Sequence, residues 1–258
     1  NPRMAQRAHS ATAPSPGTAS SARATADYRA ILAAHLQRHK QYPAAARAAG
    51  ETGTAVVAFT VDRHGRVPFA DVIYGGLGDL YLSQERYGDA AGAYQRFVAR
   101  EPTHPRAPYL QARVIAAYAA GKFPGKVLEA KARYVELYGL DSTYWTGIAP
   151  AARPLVVQHL KESLADLASY DHQRAQQTRA PEAYQKAAGW YRRYLAYFPD
   201  DPESPRRNFL LAELLFEAGD FDAATAEYQR TAYGYGNHPQ AAEAGYAGLL
   251  AAREREKA

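Results

Sequence analysis

His35 and His39, four residues apart, are the first side chains whose spacing could do chemistry. On one helix they share a face, as two imidazoles must to hold a common metal ion. Zinc takes at least three protein ligands, and no third follows at a motif spacing, so the pair reads as a polar helical face. Asp200, Asp201 and Glu203 cluster acid in another short stretch. They lack the alternating oxygen ligands and closing Glu of a calcium loop, and a capped helix start at Ser204-Pro205 accounts for them. Glu213 and Glu217 lie one helical turn apart, as do Asp79 and Ser83, a spacing open to acid–base work. Nothing in the sequence sets a nucleophile, oxyanion donor or cofactor loop beside either pair. Gly75-Gly76-Leu77-Gly78 is glycine-rich in the manner of a phosphate loop but precedes no Lys-Ser/Thr. The chain has no Cys, which excludes thiol catalysis and disulfides within these residues. The reading is therefore non-enzymatic, with no cofactor and no metal.

Apolar spacing and Pro/Gly punctuation predict helices near 70–84, 88–100, 106–120, 125–138, 154–178, 182–198, 205–218, 221–233 and 240–256. Glu101-Pro102, Phe198-Pro199 and His238-Pro239 break them, because Pro lacks a backbone donor and restricts the residue before it. Gly121, Gly139 and Gly219 suit the left-handed position after a helix. The longest irregular connection, Leu140 to Pro154, interrupts the array and is expected to touch a ligand.

Across the first two helices and the break that follows them stand Tyr74, Leu77-Gly78, Tyr81, Ala90, Tyr94 and Pro102. This spacing resembles the tetratricopeptide repeat (TPR), with the family's Trp and Phe each replaced by Tyr. Small residues at Gly78 and Ala90 let antiparallel helices approach, while the aromatics fill the space between them. Adding 134 carries Leu77, Leu80, Ala90, Tyr94, Gln95, Arg96, His104 and Pro105 onto identical residues at 211, 214, 224, 228, 229, 230, 238 and 239. Adding 97 carries Tyr87, Ala90, Tyr94, Pro102 and Pro105 onto Tyr184, Ala187, Tyr191, Pro199 and Pro202. At the usual period of ~34 residues, these offsets correspond to four and three repeat lengths in a gapless register. His104 and His238 then fall in equivalent turns.

The resemblance implies a mainly α fold, a TPR-type α-solenoid of antiparallel helix pairs over 68–258, binding a protein or peptide. First helices of such pairs line the concave face. In this register that face takes Asp79, Leu82, Arg106, Tyr109, Arg113, Arg206, Phe209, Glu213 and Phe216. Mixed charge with exposed rings suits a protein partner.

A second signal lies upstream. Ile31, Leu32 and Leu36 recur at helical spacing before Gln41-Tyr42-Pro43, and after Gly50 the sequence alternates through Thr54, Val56, Ala58 and Thr60 to a turn at Asp62-Arg63-His64-Gly65. Residues 27–67 resemble the start of the TonB C-terminal domain, a small α+β helix and hairpin. The family's second half is not visible, and Val67, Phe69 and Val72 have competing assignments, as a returning strand or as the lead-in to the first repeat. The resemblance implies a periplasmic adaptor of an energy-transducing system. Gln41, Tyr42 and Pro43 would then lie near a TonB-dependent outer-membrane receptor, and the ExbB and ExbD motor is a further partner. The alternative is a free-standing scaffold for assembling a cell-envelope complex.

Residues 1–26, rich in Ala, Ser, Thr, Pro and Arg, read as a flexible linker. By the same resemblance an upstream membrane anchor is expected. A net charge of +5 over 258 residues, with acid and base interleaved, argues against a nucleic-acid partner. The 20 Tyr among the chain's aromatics suit helix-pair packing, where rings bury their faces and the hydroxyl reaches the rim.

Overall fold

The computed structural model describes residues 69–257, with side chains from Tyr74 onward. They belong to the second of the chain's two units, Ala58–Ala258. The linker, the TonB-like segment, His35, His39 and Gln41-Tyr42-Pro43 lie outside the described residues.

Among the described residues the α-helices are α1 (Phe69–Ser83), α2 (Tyr87–Arg100), α3 (Ala107–Ala120), α4 (Pro124–Tyr138), α5 (Pro154–Thr178), α6 (Pro181–Tyr197), α7 (Ser204–Glu217), α8 (Phe221–Gln229) and α9 (Ala241–Lys257). Eight start and stop within one residue of the sequence expectation. The ninth, expected over 221–233, ends at Gln229 and passes into a π-helical turn, Arg230–Gly234. Phe69 and Val72 belong to α1, so they join the first repeat and not a returning strand.

Each helix packs on its neighbours in the sequence, which makes four helical hairpins followed by α9. The hairpin turns share one device. Glu85, Lys122, Arg179 and Gly219 have φ between 52° and 80°, and each stands two residues before the second helix of its pair. In three of the turns two hydrogen bonds close the same motif: Arg86 N–H to Tyr81 O, Phe123 N–H to Tyr118 O and Asp220 N–H to Leu215 O, each with a second bond from the left-handed residue. This is the Schellman termination, which satisfies the last carbonyls of the first helix. The third turn uses a single bond, Arg179 N–H to Ala175 O at 2.7 Å.

Two expected left-handed glycines are corrected by this geometry. Gly121 has φ −76° and Gly139 φ −55°, and only Gly219 has positive φ. Close approach explains the other two. A Cβ on Gly121 would lie 2.8 Å from Tyr87 Cβ, and one on Gly139 would lie 2.5 Å from the Tyr197 hydroxyl. Gly78 meets the sequence expectation, since a Cβ there would overlap the Tyr94 ring.

The repeat spacing also changes. The left-handed residue precedes the buried tyrosine by nine positions in the first and fourth hairpins (Glu85 to Tyr94, Gly219 to Tyr228). In the second and third it precedes it by twelve (Lys122 to Tyr134, Arg179 to Tyr191). The second helix of the middle pairs has therefore gained about one turn at its start. The 97-residue offset consequently holds inside the helices but slips by three at the turn, where Glu85 corresponds to Arg179. The 134-residue offset spans three hairpin steps, not four, because α5 runs 25 residues and the connection before it is long.

That connection is structural. Tyr144 and Trp145 are buried in the core formed by α2 to α5, and Trp145 Nε1 donates to Tyr138 O at 3.0 Å. The rings of Tyr134, Tyr138, Tyr144 and Trp145 follow one another edge to face at about 5 Å. A second core, built on Tyr191, Leu211, Leu214 and Tyr228, lies in α5 to α9, and the half-buried Trp190 packs against both.

Candidate protein-binding faces

The repeat tyrosines project hydroxyls across their hairpins. Tyr94 Oη donates to Asp79 Oδ1 at 2.6 Å, and Arg113 Nη2 lies 2.6 Å from the same oxygen. The Arg113 guanidinium also sits 4.9 Å above the Tyr94 ring. Burial, then the bond to Asp79, pushes the Tyr94 hydroxyl well above the usual phenol range. A phenylalanine could not hold this carboxylate, which gives the Phe-to-Tyr departure a physical reason. Asp79 and Arg113 are thus brought together across α1 and α3.

The third hairpin repeats the theme with other partners. Tyr191 Oη lies 3.0 Å from His172 Nδ1, and burial pushes Tyr191 up to about 12. Burial also lowers the His172 imidazole, against the opposing pull of Glu217, whose Oε2 lies 3.9 Å from Nε2. Asp171 beside it is buried yet fully used, accepting from Trp190 Nε1 at 2.8 Å and pairing with Lys186 Nζ at 3.0 Å.

In the fourth hairpin, Glu213 occupies the place of Asp79 under the 134-residue offset. It is half-buried, and its carboxyl is raised by burial first and then by Glu217 and Glu243. Tyr228, raised to about 12 chiefly by burial, senses the same three carboxylates.

The other expected face residues divide by burial. Phe209 is 8% exposed and packs edge to face on Tyr228, so it is a core residue and presents no surface. Leu82 and Tyr109 are half-buried against the first core, and Phe216 is half-buried with its ring against Phe221. Arg206 is exposed at the start of α7, 3.7 Å from Glu203. Arg106 is exposed, and its backbone N–H donates to His104 Nδ1 at 3.2 Å. The two turn histidines act locally: His104 packs edge to face on Phe97, and His238 Nε2 bonds to Thr231 O at 2.7 Å, seven residues back in each case.

A groove among the described residues falls elsewhere. It encloses about 700 Å³ between the end of α5, the outer side of α6 and the end of α7. Leu214, Leu215 and Ala188 form its apolar floor, while Tyr184, Gln185, Arg179 and Arg192 line its walls. Gln176 Nε2 donates to Glu217 Oε1 at 2.8 Å along one edge, and Asp220 on another caps α8. Arg179 and Arg192 make no ion pair among the described residues. Arg192 is adjacent to Arg193 in the sequence, but Arg179 reaches the same groove only through the α5–α6 turn.

No family model matches the chain, and no curated protein matches it. Among solved structures, it is similar to a Podosopora anserina protein described by its nearly identical TPR-like repeats. The identity is 16%, the TM-score 0.36, and the match covers 72% of this chain and 86% of the other. Among the described residues no helix is long and apolar enough to cross a membrane, and no group of acidic and histidine side chains is arranged to hold a metal ion.

Proposed function

We propose that the helical array is a non-enzymatic binding module that takes an extended protein segment in the α5–α6–α7 groove. The carrying observation is an open groove of about 700 Å³ with an apolar floor and two arginines that have no acidic partner within the described residues. Such a volume accepts several side chains of a bound segment, and convergent polar groups on an apolar floor fix its orientation. Arginine favours carboxylate ligands through its planar fork of donors. The segment is therefore one with an acidic residue beside an apolar one. Asp79, Arg113 and Arg206, on the first helices of the pairs, do not line this groove.

In this reading the protein is a periplasmic adaptor of a TonB-type energy-transducing system, anchored upstream. What supports it is the resemblance over residues 27–67, with Gln41-Tyr42-Pro43 toward a receptor or the ExbB and ExbD motor. The second reading, a scaffold for envelope-complex assembly, draws on the array alone.

Affinity capture from cell-envelope extract tests both with full-length variants. Arg179→Ala/Arg192→Ala is expected to lower recovery of the partner at least about tenfold, the scale of removing two contact residues, with helical circular dichroism unchanged. Equal recovery would discard the groove. Tyr42→Ala is expected to release TonB-dependent receptors specifically; if it changes nothing while the arginine pair does, the scaffold reading replaces the adaptor.

A further inference from the structure

The face of α9 that points away from the array carries a stripe that nothing among the described residues covers. Ala244, Gly248 and Ala251 form the buried side of the helix, and Gly248 lets it close onto Tyr228. On the opposite side Tyr246, Leu249 and Leu250 are 66%, 71% and 41% exposed, and Tyr233, beside Gly245, is 81% exposed. Exposed large apolar groups gathered on one helix face mark an interaction surface more than ordinary surface scatter.

The charges bounding this stripe have a particular order. Glu243, Tyr246, Leu250 and Arg253 succeed one another at intervals of three, four and three residues, one line along the helix. An acid closes the line at one end and a base at the other. Both are exposed, and neither has an ion-pair partner among the described residues. Their neighbours are engaged: Arg255 lies 3.7 Å from Asp222, and Lys257 lies 2.6 Å from Glu254. Glu243 contributes, after burial and Glu217, to the rise of the Glu213 carboxyl.

We infer that α9 pairs with α9 of a second copy of this chain in an antiparallel, two-fold contact. Turned end for end about Gly248, the line is complementary to itself. Glu243 meets the partner's Arg253, Tyr246 meets the partner's Leu250, and the same two contacts recur by symmetry, as an isologous interface requires. A parallel pairing would set like charge on like charge. The four exposed apolar side chains offer on the order of 500 Å² per chain, so the pair buries about 1,000 Å², the lower bound for a specific interface. An interface at this lower bound belongs with weak, transient contacts, so dissociation in the micromolar range is expected.

Sedimentation equilibrium of the full 258-residue chain tests this. The wild type is expected to be a concentration-dependent dimer, and Leu250→Glu a monomer with unchanged helical circular dichroism. Glu243→Arg or Arg253→Glu alone is expected to weaken the dimer about tenfold by turning two attractions into two repulsions. The double reversal Glu243→Arg/Arg253→Glu is expected to restore it. A wild type monomeric up to about 100 µM overturns the inference and leaves the stripe to a following helix of a longer chain or to another protein. A dimer that survives Leu250→Glu, or a double reversal no better than its parts, overturns it equally.

Discussion

Gly78 and Gly92 stand on facing helices of the first hairpin and meet opposite surroundings. A Cβ on Gly78 would overlap the Tyr94 ring, whereas one on Gly92 would have nothing within 4 Å. Gly78→Ala must push Tyr94 off Asp79, and overpacking of this kind costs about 1–3 kcal/mol. Gly92→Ala is expected to stabilise by about 0.5–1 kcal/mol, because glycine in a helix interior loses the most backbone freedom on folding. Urea midpoints of the two variants check both signs. His172 supplies a pH test. Burial holds its imidazole below the ordinary value near 6.5, so as pH falls through 6.5 the unfolded chain takes up a proton that the folded chain refuses. Stability is therefore lost on that descent. Glu213, raised in the fold, acts in the opposite sense: its contribution is full below the unfolded carboxyl value and declines as pH rises through the raised one. Urea midpoints at pH 7.5 and 5.5 are expected to fall less for His172→Gln than for the wild type; equal falls would remove His172 from the account.

At the scale of the element, the turns and the 140–153 connection matter most. Trp145 fills the first core and bonds to Tyr138 O. Truncation to Ala is expected to cost about 3–5 kcal/mol, read as a drop in thermal midpoint, while a ligand-contacting loop residue would give little change. Left-handed Glu85, Lys122 and Arg179 occupy the place that Gly219 fills without strain. Lys122→Gly is accordingly expected to be near neutral or mildly stabilising. These positions were not legible as left-handed in the sequence, since Glu85 and Arg179 have no glycine beside them and the visible signal near Lys122 was Gly121, one residue earlier. Helix bounds were legible almost to the residue, because proline and apolar spacing are local causes that act before any packing.

Across the array each helix leans on its sequence neighbours, so stability should divide between the two cores. Leu211→Ala, in the second core, is expected to strip amide-exchange protection from α7 to α9 while α2 to α4 keep theirs. Uniform loss would show instead that Trp190 and the α5–α6 pair couple the whole array. The sequence by itself determined the helical order, the role of Gly78 against Tyr94 and the kinship of the first and last hairpins. All three are matters of spacing along one chain. It also put Asp79 and Arg113 on one expected face, because successive first helices repeat the same register. It could not show that Phe209 turns inward, that the long connection plugs a core, or that Arg179 and Arg192 share a groove above Leu214 and Leu215. Those depend on the angle at which one helix meets the next, and that angle is set by side chains from three or four elements packing at once.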